Sequence, residues 1–183
     1  MEGIEGIDAM TKELEKLQDR QDQVMRLSSR TVRLAGMMIT AIHSHRVGDE
    51  RKLNKELAES IEDLEKMEKG FEYYTQQAHQ EYVEAMIFCS IVRDMSIPTR
   101  AALMEKTVPY ILGIMDVVGE LKREAFDELM AKNRKKAMEY YSLMKAIYDS
   151  TLHMRFANSI MPGFRRKQDT ARIQLESVAA ELL

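Results

Sequence analysis

Tryptophan is absent from the 183-residue sequence, proline occurs three times and glycine eight times. Glycine and proline normally supply about 12% of a chain, so turn formers are scarce here and leave little room for β-hairpins. The single cysteine, Cys89, excludes an internal disulfide and a cysteine-built zinc site within one chain. It lies in the apolar run Ala85–Val92, the setting of a core thiol. No uncharged stretch approaches the ~18 to 20 residues of a membrane span; the longest, Leu34 to His45, contains two histidines. The opening Met1-Glu2-Gly3-Ile4-Glu5 is acidic and lacks the basic-then-apolar order of a secretory signal. A cytoplasmic protein without a membrane partner is the expectation. Net charge is -3, from 27 basic and 30 acidic residues, so any polyanion must be held by a local basic patch.

What is present is helix-forming. Hydrophobic residues make up 45% and charged residues 31%, which excludes a disordered chain. The reading is all-α: one domain over residues 1–183, an antiparallel bundle of about six or seven helices. A long first helix ends near Val47-Gly48-Asp49, after His43, His45 and Arg46. A second follows Asp49 with Leu53, Leu57, Ile61, Leu64 and Met67 at spacings of three and four, and Gly70 interrupts it. A third runs to about Met95, before Ser96-Ile97-Pro98. A fourth spans about Arg100 to Lys132, with a break expected just before Pro109. A fifth covers Arg134 to about Ala157, and the last follows Pro162-Gly163. The Leu34–Ile39 stretch is more apolar than one bundle seam requires, which predicts a homo-oligomer larger than a dimer.

Two acidic pairs interrupt apolar runs. Glu81 and Glu84 share a helix face with Phe88 and Ile91; Asp116 and Glu120 share another, flanked by Gly113 and Gly119. A carboxylate on an apolar stripe costs desolvation energy unless it is neutralised, paired or bound to a cation. Arg93 and Arg123 are candidate partners for structural ion pairs. A cation site is the other reading, and hard oxygen ligands point to magnesium or manganese. No Glu-x-x-His occurs, which argues against a di-iron bundle. Glu62 and Glu65 read as a solvated face, and the histidines as structural. The adjacent pairs Tyr73/Tyr74 and Tyr140/Tyr141 read as packing residues.

Basic residues gather in two places. Arg26, Arg30 and Arg33 form one stripe at i, i+4 and i+7 on the first helix. Arg165, Arg166 and Lys167 open the last helix, where free N-terminal amides add to the side-chain charge. Either set suits a phosphate backbone; a solvated face is the plainer role of the first.

Taken together, these pieces resemble the translin superfamily, and more closely the archaeal, single-gene form of its translin-associated factor X branch. The matching segments are Arg30-Thr31-Val32-Arg33-Leu34 leading into Ala41-Ile42-His43, and Gln80-Glu81-Tyr82-Val83-Glu84-Ala85. Tyr110-Ile111-Leu112-Gly113 through Asp116-Val117-Val118-Gly119-Glu120-Leu121-Lys122-Arg123 follows, and Arg165-Arg166-Lys167-Gln168-Asp169 ends the series. The resemblance implies a helical bundle assembled into a hollow octamer that encloses RNA, with single-stranded DNA as an alternative ligand. It also implies a magnesium-dependent endoribonuclease, manganese being the substitute ion, with Glu81, Glu84, Asp116 and Glu120 as catalytic and metal-binding carboxylates. A non-catalytic RNA- or DNA-binding oligomer of the translin type is the alternative it leaves.

Overall fold

The computed structural model describes residues 6–183; the acidic Met1–Glu5 opening lies outside them. Six helices follow in order: α1 (Ile7–His43), α2 (Val47–Met67), α3 (Glu72–Asp94), α4 (Thr107–Met130), α5 (Arg134–Thr151) and α6 (Phe164–Glu181). No strand occurs among the described residues, and no helix is long and apolar enough to cross a membrane. The architecture is the expected all-α bundle.

The apolar spacing builds it. Val24, Ser28, Thr31, Ala35, Met38 and Ile42 recur every three or four residues along α1, a stripe that fits between two neighbours. The helix packs on α2 and α3; α3 packs on α4, and α4 on α5 and α6. Helices α3 and α4 therefore form the middle of the molecule. Helix α3 buries Ala78, Val83, Ala85, Ile87, Phe88 and Ile91. Cys89 is buried there too, and its thiol donates to Glu50 Oε1 at 3.1 Å. Burial and the Glu50 carboxylate push that thiol up to about 12, so it stays protonated and inert.

Three boundaries differ from the sequence reading. Helix α4 starts at Thr107 rather than Arg100, and residues 100–104 form turns. Pro109 is the third residue of α4, where an N–H has no intrahelical acceptor to lose. The expected interruption does precede the proline, but the segment before it is turn rather than helix. Helix α5 stops at Thr151 rather than Ala157. Helix α2 begins at Val47 with Gly48 and Asp49 inside it, the preceding turn being made by His45 at φ 52. Gly70, at φ 88, does separate α2 from α3.

The link into α4 is tied down by charge. His79 on α3 is buried, with Nδ1 2.5 Å from Glu105 and Nε2 2.9 Å from Glu68. Lys106 reaches the other Glu68 oxygen. The two carboxylates raise the His79 pKa against the opposing effect of burial.

The excess apolar surface lies only partly where the sequence suggested: within the Leu34–Ile39 stretch Met37 is 49% exposed. Leu34, Ala35 and Met38 are buried within the chain. The larger share is on the first part of α1, where Ile7, Met10, Leu14 and Leu17 are about half exposed or more. They continue the α1 seam beyond the reach of the other helices.

Gly113 sets the α3–α4 distance. A Cβ there would lie 2.7 Å from the Gln80 carbonyl oxygen and from Val83 Cβ, closer than packing allows. Gly113→Ala should destabilise the fold by about 1–3 kcal/mol in chemical denaturation. Gly36→Ala, on an open face of α1, should stabilise it by up to about 1 kcal/mol.

Candidate functional site

Helices α3 and α4 bring both acidic pairs to one place. Glu84 is buried at 8% exposure, while Glu81, Asp116 and Glu120 are half-buried. Burial pushes the Glu84 carboxyl up to about 9, reinforced by the charges of Asp116, Glu81 and Glu120. Burial and the neighbouring Asp116 likewise raise Glu81. Asp116 is raised by burial too, with Lys167 and Gln80 opposing. All four carboxyl groups thus share one electrostatic environment.

Two of the four already have partners. The Lys167 ammonium donates to Asp116 Oδ1, and the Gln80 amide donates to Oδ2 at 2.6 Å. His43, at the end of α1, faces Glu120 Oε2 at 2.5 Å and Glu124 Oε1 at 2.6 Å. Its side chain is 2% exposed, and its ring lies 4.8 Å from that of Phe88. Burial disfavours the charged imidazole, but the two carboxylates overcome it and carry the pKa up to about 9. At neutral pH both ring nitrogens therefore donate.

The four carboxylates are not drawn into a tight cage. The sets whose ligand-type atoms lie within 4.8 Å of one another, among the described residues, are His43–Glu124–Asp127 and Glu65–His79–Glu105. Glu65, read from sequence as solvated, is exposed but belongs to the second set. The arginines suggested as partners do not fill that role: Arg93 bonds Glu50 at 2.5 Å, and Arg123 makes no ion pair among the described residues with any of the four.

The two basic sets lie differently. Arg26, Arg30 and Arg33 are exposed on α1, opposite its buried seam, and make no ion pair among the described residues. Arg33 borders a groove with Met37, Arg46, Lys52 and Glu56, remote in composition from the carboxylates. The α6 cluster adjoins them. Arg166 and Lys167 line a pocket of about 200 Å³ with Met115, Asp116, Thr170 and Gln174, while Arg165 faces outward.

Gln80, His43 and Glu124 complete the site and were not singled out as chemical groups from sequence. Gln80 precedes Glu84 by four residues, a spacing that places both on one helix face. His43 carries no local signal, because its acceptors lie 77 and 81 residues away.

An all-helical chain with a buried acidic site between its two central helices is the class this geometry defines. The Translin family profile matches residues 5–180, and the chain belongs to that family. An uncharacterized protein of Methanocaldococcus jannaschii is 31% identical over 167 residues, covering 88% of this chain and 74% of that protein. Among solved structures, apo-NeC3PO superposes with a TM-score of 0.90 at 22% identity, over 100% of this chain and 98% of that one. The AfC3PO–duplex RNA complex gives 0.88 at 23% identity, over 96% and 94%. These structural likenesses establish the fold.

The raised groups fix a pH dependence. His43 and Glu84 have ordinary values of 6.5 and 4.5, and both titrate near 9 when folded. The stabilisation from charged His43 is complete below pH 6.5 and is lost as pH rises through about 9. Neutral Glu84 has the same sign: unfolding releases its proton at any pH between 4.5 and 9, so stability falls across that window. Metal-free protein should therefore unfold at lower denaturant at pH 9 than at pH 6. Glu84→Gln removes one source of that slope and should raise the melting temperature at pH 8 in chelator by at least about 3 °C. A lowered melting temperature would assign Glu84 to a stabilising ion pair.

Proposed function

We propose that the protein is a divalent-cation-dependent endoribonuclease acting on RNA within a homo-oligomer, with Glu81, Glu84, Asp116 and Glu120 as the metal-binding carboxylates. The observation that carries this reading is the gathering of four acidic groups within one another's field at a half-buried place, with Glu84 driven up to about 9. Divalent cations offset such repulsion, and an all-oxygen donor set suits magnesium or manganese. Bound there, the ions would supply an activated water and would offset charge on the phosphorus and the leaving oxygen. The chain's own groups do the rest. His43 orients Glu120, Gln80 fixes the face of Asp116, and Arg166 presents positive charge beside the site. Hydrolysis by that route leaves a 5′-phosphate and a 3′-hydroxyl. The bound duplex RNA of the AfC3PO structure supports RNA as the ligand. The exposed seam Ile7–Leu17 supports self-association, octameric by family likeness. The α6 cluster, beside the carboxylates, is the favoured RNA contact; Arg26, Arg30 and Arg33, exposed along α1, form a second basic face for the phosphate backbone.

A second reading has one observation in its favour. Asp116 and Glu120 are engaged by Lys167 and His43, as they would be in an RNA- or DNA-binding oligomer with no catalysis. Cleavage of short single- and double-stranded RNA in Mg²⁺, Mn²⁺ and chelator separates the two. The nuclease reading expects cleavage that chelator abolishes and that Asp116→Asn lowers by at least about a hundredfold with the melting temperature kept. RNA binding without metal-dependent cleavage would establish the second reading.

A further inference from the structure

Lys167 has two assignments that one conformation cannot satisfy together. It belongs to the basic cluster beside the proposed RNA path, yet its ammonium is turned inward onto Asp116. Its side chain is 19% exposed, whereas Arg165 and Arg166 in the same helical turn are open to solvent. The turn itself is fixed: Phe164 is buried, and the Lys167 N–H donates to the Gly163 carbonyl at 3.1 Å. Of the three basic side chains in this turn, Lys167 is the one that reaches a carboxylate. Gln80 donates to Oδ2 and Lys167 to Oδ1, so each Asp116 oxygen already accepts one hydrogen bond, and one of them comes from a cation. A divalent cation approaching Oδ1 meets the like charge of the ammonium there, and the flexible lysine is the donor it would displace.

The pocket beside this contact gives the ammonium somewhere to go. Arg166, Thr170 and Gln174 stand at i, i+4 and i+8 along α6 and line it together with Lys167 and Asp116. Among the described residues none of those three makes a side-chain hydrogen bond with another side chain. Guanidinium, hydroxyl and amide donors around an opening of this size suit a phosphate group.

We propose that Lys167 is a resident cation: it neutralises Asp116 in the metal-free, RNA-free protein and exchanges that carboxylate for an RNA phosphate when a divalent cation arrives. The proposal rests on the metal-binding reading of the four carboxylates and adds a competitor built into the chain. It makes the same residue hold the acidic site together before loading and hold RNA afterwards.

The test is Mn²⁺ binding by calorimetry to the chelator-treated, full-length protein. Releasing a charge-assisted hydrogen bond should no longer oppose uptake in Lys167→Met, which should bind Mn²⁺ about tenfold more tightly than the unaltered protein. Lys167→Arg keeps the charge and should stay within about twofold of it; Lys167→Gln repeats the neutral substitution should the methionine variant fold poorly. Asp116→Asn should weaken binding about tenfold or more. Uptake that depends on Asp116 but is unchanged in both neutral variants leaves the metal site standing and overturns the role of Lys167. No Mn²⁺ uptake by any form overturns the metal reading and this proposal with it. The exchange is read in chelator, where no metal-dependent cleavage occurs, from the affinity for a short RNA duplex. Lys167→Met should weaken RNA binding more in an Asp116→Asn background than in the unaltered protein, because the lysine is held by Asp116 only in the latter. Equal losses in the two backgrounds would refute the exchange.

Discussion

The close approach of α3 and α4 at Gly113 is the constraint on which the site depends. Any side chain at 113 would collide with the Gln80 carbonyl and Val83, and the helices would be held apart. At the observed spacing, Gln80 reaches Asp116 across the interface, and Glu81 and Glu84 come within the field of Asp116 and Glu120. A glycine inside a helix costs about 1 kcal/mol relative to alanine. Here that cost accompanies a juxtaposition of like charges, which itself opposes folding. Neither feature helps a helical bundle stand up, and both are intelligible if the place between the helices has a chemical task.

The surrounding structure offsets the repulsion from two directions. Helix α1 supplies His43 at its last turn, charged because Glu120 and Glu124 hold both ring nitrogens. Helix α6 supplies Lys167 from its first turn. The outer helices thus bring positive charge to the central pair, and they meet the site at their ends, where side chains can reach inward without an interior helical position being given to a charge. A second buried imidazole, His79, does the equivalent work at the α4 start by joining Glu68 and Glu105. That contact holds the link on which the position of Asp116 and Glu120 depends.

Much of this was legible in the sequence for identifiable reasons. Scarce glycine and proline with regular three- and four-residue apolar spacing made the all-helical bundle readable. Carboxylates inside apolar runs marked Glu81, Glu84, Asp116 and Glu120, because burial of an unpaired acid is costly enough to be conspicuous. The start of α4 was placed at Arg100 because nothing in the Arg100–Lys106 composition marks it as turn, while Pro109 rightly signalled an interruption just ahead of it. Gly113 drew notice only as a flank, since a close approach is a property of two helices. The partners of the carboxylates were not legible at all: Lys167 lies 51 residues from Asp116, and local spacing carries no information over that separation. The unpartnered seam on α1 was likewise hidden, because an exposed and a buried apolar stripe have the same period.

The most direct test of the acidic site is a crystal structure grown with Mn²⁺ and analysed for anomalous scattering. The account predicts an anomalous peak between α3 and α4, about 2.0–2.4 Å from oxygens of at least two of the four carboxylates, with the Lys167 ammonium withdrawn from Asp116. Saturating Mn²⁺ with no peak there, and Lys167 still bonded to Asp116, would contradict it.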